Sequence, residues 1–435
     1  MQQDAYSTHL AVLNEELVCA LGCTEPIAVA YVASLARAVL GREPERLQVS
    51  CSGNVIKNVK SVSVPNSGGQ RGIAAAAMLG AIGGDETRAL EVLEGVTEED
   101  RERCRALVDE GRCEVSLAKD VPNLYVRVVA TARGHEAVAC VEGRHTNVVE
   151  LTFDGSPAMA HSVAAQDCDG PGTSAEDTAD DPRADLDLQS IWEFTQEARI
   201  DDLRDLVSRQ IDLNEAIAAE GLSGRWGANI GRTLLNTRPN DVTCRARALA
   251  AAGSDARMSG CPLPVVICCG SGNQGITCSQ PVVEWGRELG RAKDDIIRAV
   301  ALSDLVAVHV KHYIGELSAF CGAVSAACGA GAAICWLRGG TYDQYEATVI
   351  NTLGNVGGIV CDGAKPSCAA KIASAVDAAI LGCDMALLDN NLHPGEGLVA
   401  ADPETTIRSV GYVGRVGMRT TDVEILNLMI GKTQV

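Results

Sequence analysis

The sequence predicts an α+β protein, an N-terminal mixed α/β domain followed by a mainly helical Ala/Gly-rich domain. Three observations carry this. Apolar residues alternate with period two only between residues 46 and 154, which confines the strands to that stretch. From Ile191 to the end the apolar spacing is helical and rich in Ala and Gly. Between them, residues 155–188 lose all periodicity: from Asp167 to Asp187 eight acidic residues stand against one basic, Arg183, among Pro, Gly, Ser and Thr. That composition reads as an acidic linker or insertion. The 435 residues are too many for one ordinary core. They divide into N-terminal helices with a CTEP motif (1–45), a mixed α/β domain (46–154), the acidic stretch (155–188) and a helical domain (189–435).

Taken in order, residues 6–21 carry a helical apolar pattern that stops at Gly22. In CTEP, Thr24 is a capping residue and Pro26 suits a first helical turn, so a helix runs from there to about Leu40, before Gly41. LQVSCSGNVI and VKSVSVP then alternate like strands. Ala-rich helices follow around 72–82 and 98–110. CEVSLA, LYVRVVATA, EAVACVEG and NVVELTF read as further strands. Leu317–Leu337 has no charged residue, yet it is mostly Gly, Ala, Ser and Cys, which gain little from lipid. It reads as a helix buried in protein, with no membrane partner.

Composition narrows the function. A net charge of -20 argues against nucleic acid, which needs a basic footprint. Aromatics make up only 3%, so the cores are built from Ala, Val, Leu and Ile. The first residues, MQQDAYSTHLAVLNEE, show no basic stretch leading into an apolar one, which predicts a cytoplasmic, reduced protein. In that setting its 18 cysteines suggest metal or catalysis, with many serving as small buried hydrophobes.

Two loops stand out. GSGNQG at Gly270–Gly275 formally matches a dinucleotide fingerprint, but Pro281 interrupts the expected helix and the surroundings are helical. It shares Ser-Gly-Asn with Ser52-Gly53-Asn54. Such loops offer backbone N–H groups suited to a carboxylate, and they are equally common as plain turns.

The cysteines lack the CxxC pairs or close Cys/His sets of a zinc site, and Cys268 and Cys269 are adjacent, too close to chelate comfortably. Iron–sulfur sites tolerate wider spacing. Cys321, Cys361 and Cys368, at intervals of 40 and 7, form the most plausible set, each beside Gly or Ser in a segment able to bend.

At this point LGCTEPIAVAY, SGNVIKN, GRHTNVV, GSGNQGITCSQPV, VKHYIGELSAFCGAVSAACGAG and GGIVCDGAKPSCAAKI together resemble the L-cysteine desulfidase family. In its C-terminal half that family is similar to the α-chain of iron–sulfur L-serine dehydratases. The resemblance spans nearly the whole chain except 155–188. It implies a helical catalytic domain and a four-iron four-sulfur cluster held by Cys321, Cys361 and Cys368, with one iron open for substrate. Cys23 is a fourth family cysteine, either base or ligand. The implied reaction is a non-redox β-elimination of L-cysteine to pyruvate, ammonia and hydrogen sulfide, on a small amino-acid substrate and in a homodimer. L-serine or a related β-hydroxy amino acid is the alternative substrate.

Candidate bases are Cys23, Lys365 and Lys311. Cys23 stands just before a helix start, where the dipole lowers a thiol's pKa. Ser52, Asn54, Asn58, His145, Ser271, Asn273, Gln274 and Asp362 are candidates for substrate binding, and a structural hydrogen-bonding role competes for each. Two other classes stay open. A pyridoxal-phosphate lyase needs a Schiff-base lysine, and among eight lysines only Lys365 lies near a Gly-containing turn. A non-catalytic metal-binding or redox-sensing protein predicts a bound metal without turnover.

Overall fold

Helix α1 (Gln3–Glu16), strand β1 (Cys19–Leu21) and helix α2 (Thr24–Leu40) open the chain in a computed structural model that describes residues 3–159, 181–315 and 317–432. Helix α2, TEPIAVAYVASLARAVL, is apolar nearly all round, so it needs cover on every side. It gets that cover from a sheet on one face and helix α4 on the other.

The sheet collects β2 (Arg46–Cys51), β3 (Cys113–Leu117), β4 (Tyr125–Ala132), β5 (His135–Glu142), β6 (Val148–Phe153) and β7 (Ser156–Pro157), in the order β3-β2-β4-β5-β6-β7. The β2–β3 pair is parallel and the rest antiparallel. Period two does its work in β4. Val126, Val128, Ala130 and Ala132 are buried under α2, and the residues between them are half-exposed. Between strands lie helices α3 (Gly53–Val59), α4 (Ile73–Gly83) and α5 (Glu98–Asp109).

The remainder is helical: α6 (Leu188–Glu197), α7 (Ile200–Gly221), α8 (Ile230–Thr237), α9 (Val242–Met258), α10 (Gly272–Glu288), α11 (Lys293–Ile314), α12 (Ala323–Leu337), α13 (Tyr342–Val356), α14 (Cys368–Leu387), α15 (Pro403–Tyr412) and α16 (Arg419–Met429). One short strand, β8 (Pro264–Val266), pairs antiparallel with β1, stitching Cys19 to Val266. Helices α10, α11, α12 and α14 pack on one another through Ala, Gly and Val. No helix among the described residues is long and apolar enough to cross a membrane.

The structure is thus a mixed α/β part followed by a mostly helical one, as the periodicity predicts. Several local expectations fail. SGNVI continues the alternation of β2 on paper, but Ser52 caps α3 by accepting from Val55 N–H at 3.4 Å, and the chain turns into a helix. VKSVSVP is a turn with one isolated bridge, Ser63 to Arg71. The first helix stops at Glu16, and residues 19–21 are strand. Cys23, not Thr24, takes the capping position of α2. Helix α10 runs straight through Pro281. Helix α12 begins at Ala323, and residues 317–321 are non-helical, held by bonds to Ile359, Cys361 and Gly414. Most of the acidic stretch falls at 160–180, outside the described residues; at its end Arg183 pairs with Glu15, Glu16 and Asp181.

Candidate active site

Cys321 and Cys361 approach because their segments pair as two short antiparallel pieces. Cys321 N–H donates to Ile359 C=O at 2.9 Å and Cys361 N–H to Ala319 C=O at 2.6 Å. The turn after Cys361 brings Cys368 back as the first residue of α14, its Sγ lying 3.7 Å from Gly363 C=O. Gly363 has φ +94°, and a Cβ there would sit 2.5 Å from Lys57 C=O, so the turn lies hard against α3. The three sulfurs therefore come together from two loops and a helix start. The Cys321 thiol lies within hydrogen-bonding reach of Cys361, which lowers Cys361 to about 6 against the opposing effect of burial, with Lys57 and Lys371 adding positive charge. Cys321 is correspondingly pushed well up.

Cys23 belongs to the same place. It forms a small buried cluster with Val62 and Met258, and Cys368 packs against that cluster. Its thiol donates to Glu25 Oε2 at 3.1 Å. Burial first, and the Glu25 charge second, raise the Cys23 pKa well above its ordinary value. The expectation of a partly ionised thiol at a helix start is therefore overturned, because desolvation outweighs the dipole.

Glu25 is the centre of a polar group. Its Oε1 accepts from Asn58 Nδ2 at 2.8 Å. Burial opposes its charge, but His145, the Cys23 thiol, its own backbone N–H and Arg257 hold it below the usual carboxylate range. Burial lowers His145 and Arg257 adds to that, against the pull of Glu25. Arg257, at the end of α9, is only 2% exposed. A Cβ at Gly272 would lie 2.4 Å from its Nε, so the loop before α10 closes over the guanidinium.

These groups share an unusual property. Arg257 Nε and Nη2, His145 Nε2, Asn58 Oδ1, Asn54 Oδ1 and Asn273 Oδ1 are all buried without a hydrogen-bond partner. Buried polar atoms are ordinarily satisfied, and each orphan costs about 1–3 kcal/mol. Nε and Nη2 share the guanidinium edge that takes a carboxylate side-on. Because Asn58 turns its N–H₂ to Glu25, its oxygen faces the other way.

The other expected residues are differently engaged. Ser52 donates to Asn123 C=O at 2.6 Å as well as capping α3. Asn54 reaches Asn123 Oδ1 at 3.4 Å. Gln274 is braced at both ends, by Cys269 C=O and the Ser325 hydroxyl, each at 3.1 Å. Ser271 opens α10 without capping it through its side chain. Asp362 forms ion pairs with Lys365, at 2.7 Å, and with Lys371. That pairing occupies Lys365, one of the three candidate bases. Lys311 is buried in the last turn of α11, its charge beside Cys269. Sequence reasoning missed Glu25 and Arg257. The signal was present: AAAGSDAR, residues 250–257, sets Asp255 and Arg257 at the end of a run of small residues.

Among the described residues, the three-ligand group with atoms all within 4.8 Å of one another is Cys268, Cys278 and Asp304, not Cys321, Cys361 and Cys368. The latter three are a wider set, as a multi-iron cluster requires and a single ion does not. Three thiols from separate segments, one of them drawn towards thiolate first by the Cys321 thiol and then by lysines, fit such a group.

Residues 87–427 match the family model described as serine dehydratase alpha chain. The chain is similar over nearly all its length to UPF0597 proteins from several bacteria. That of Desulfitobacterium hafniense is 45% identical over 99% of this chain and 98% of its own. That of Finegoldia magna is 44% identical, over 97% and 99% respectively. The relative from Lachnoclostridium phytofermentans is 45% identical, over 98% and 100%.

Proposed function

Because the chain belongs to the serine dehydratase alpha-chain family, we propose that it is a lyase that eliminates the β-substituent of a small α-amino acid, L-cysteine foremost. The observations that carry this reading are the approach of Cys321, Cys361 and Cys368 to one another and, packed beside Cys368, the buried Cys23 whose charge surroundings include Glu25 and Arg257. In this reading the three cysteines hold a four-iron four-sulfur cluster. When bound, the cluster supplies Lewis-acid activation of the departing sulfur or oxygen through an iron left free of protein ligands.

The chain's own groups do the rest. Arg257 takes the substrate carboxylate on its Nε–Nη2 edge. Asn58 Oδ1 accepts from the α-ammonium, which orients the Cα–H bond. Glu25, ionised at the end of its hydrogen bond from the Cys23 thiol, takes the Cα proton. The electrons of that C–H bond form the Cα–Cβ double bond as the β-substituent leaves. The neutral Cys23 thiol protonates the leaving group, and Glu25 then passes its proton back to the Cys23 thiolate along their hydrogen bond. The 2-aminoacrylate released tautomerises and is hydrolysed by water to pyruvate and ammonia, with no net redox change. His145, beside Glu25, favours the ionised form of that carboxylate.

The family description favours L-serine as a second substrate, since the same groups serve a hydroxyl leaving group. Anaerobically reconstituted protein assayed with both amino acids decides between them. Sulfide and pyruvate from cysteine in equal amounts are expected; pyruvate from serine with no sulfide from cysteine would overturn the assignment. Bound pyridoxal phosphate in an iron-free active preparation would sink the cluster reading altogether.

A further inference from the structure

Strand β8 leads into Cys268, α10 carries Cys278 and α11 carries Asp304; all three are fully buried. Their ligand atoms all lie within 4.8 Å of one another. Asp304 Oδ1 accepts from Gln210 Nε2 at 2.9 Å, while Asp304 Oδ2 and Gln210 Oε1 are buried without partners. A carboxylate sealed in protein needs a cation or a proton. Its charged neighbour here, Glu16, has the same sign.

We propose that Cys268, Cys278 and Asp304 form a second, mononuclear metal site that binds a zinc ion, with Gln210 Oε1 as the fourth donor. Two thiolates and two oxygens suit zinc, whose bonds of about 2.3 Å to sulfur and about 2.0–2.2 Å to oxygen need donors this close. Zinc binding displaces to solvent whatever protons the two thiols and the carboxyl carry. Nothing is oxidised or reduced. The site is closed on all sides, which makes the ion structural. It would tie β8, α10 and α11 together directly behind the 268–271 loop, whose Gly270 C=O is held by the Thr24 hydroxyl at 3.0 Å. Cys269, 3.6 Å from Cys268 through sulfur, stays outside the trio.

The test is independent of turnover. Full-length protein is purified anaerobically and its zinc is measured beside its iron, followed by X-ray absorption at the zinc edge. We expect about one zinc per chain in a shell of about two sulfurs and two lighter atoms, the mixed donor set zinc accepts. Cys278→Ser and Asp304→Asn should each remove most of that zinc while iron is unchanged. A protein without zinc overturns the proposal. So does zinc in an all-sulfur shell that survives Cys278→Ser, since that ion would sit on Cys321, Cys361 and Cys368. Should either variant fail to fold, the edge spectrum of the unsubstituted chain decides alone.

Discussion

The two walls of the candidate site are built on opposite principles. On the thiol wall the backbone is tied down, by the crossed bonds between Cys321 and Ile359 and between Cys361 and Ala319, and the side chains are held for a common purpose. On the polar wall the side chains of Arg257, His145 and Asn58 are locked in place with atoms left unsatisfied. A wall of pre-placed sulfurs is suited to holding a resident group, whereas orphaned donors and acceptors await a visitor. The difference teaches that binding the cofactor and binding the substrate should be separable by substitution.

The strongest way to break this comparison is on the thiol wall. Cys321→Ala, Cys361→Ala and Cys368→Ala should each lose iron and turnover together. An iron assay and a pyruvate assay on the same preparations check this, and full iron with no turnover in all three would erase the distinction between the walls.

Cys23→Ala should behave in the opposite way. The protein should retain roughly the four irons of this cluster type. Turnover should drop by about 10²–10⁴-fold, the worth of a positioned acid–base group. Loss of iron matching the other three cysteines would move Cys23 to the thiol wall as a ligand. Glu25→Gln sharpens the case, since it should also keep iron while removing the proton acceptor.

Arg257→Lys should raise KM by about 10–100-fold with iron unchanged, because a charge-assisted bidentate bond worth roughly 1.5–3 kcal/mol becomes a point charge. Unaltered KM would remove Arg257 from substrate binding.

The smallest effect concerns pH and stability. His145 is lowered by burial, so the unfolded chain binds its proton before the folded one does. That contribution is present above about pH 6.5 and is lost as pH falls below it. His9 and His312 are lowered too, so only a share belongs to His145. His145→Gln should flatten the fall of Tm below pH 6.5 relative to the parent protein. An identical slope would show the ring to be solvated.

The sequence made some of this legible and concealed the rest for physical reasons. Strand β4 is buried on one face only, so its alternation is written plainly in the residues, whereas β5 is buried on both faces from Ala137 to Val141 and reads as an apolar run. Alternation also ran on through SGNVI and VKSVSVP, where a single serine side chain capping α3 outweighed the pattern. Cys321, Cys361 and Cys368 could be grouped from sequence because a multi-iron group tolerates long intervals, and the structure brings the Cys321 and Cys361 thiols within hydrogen-bonding reach. Arg257 and Glu25 escaped because a charged residue in a helix ordinarily faces water, and only the packing of α9 against the 270–272 loop shows otherwise. Cys268 was judged by its neighbour Cys269, whereas its partners come from residues 278 and 304, a proximity that no spacing rule contains.

The pairing of β1 with β8 sets a timetable for the chain as it is made. Thr24 must wait for Gly270, 246 residues later, and Lys57 for Asp422, 365 residues later. At about 5–20 residues per second those waits are roughly 12–50 s and 18–70 s. During that interval the apolar start of α2 has none of its final neighbours from the second half of the chain. Ribosomal output, not local folding, therefore limits when Cys23 can meet Cys368, and slowing translation near residues 250–270 should lengthen exposure of that surface to chaperones and proteases.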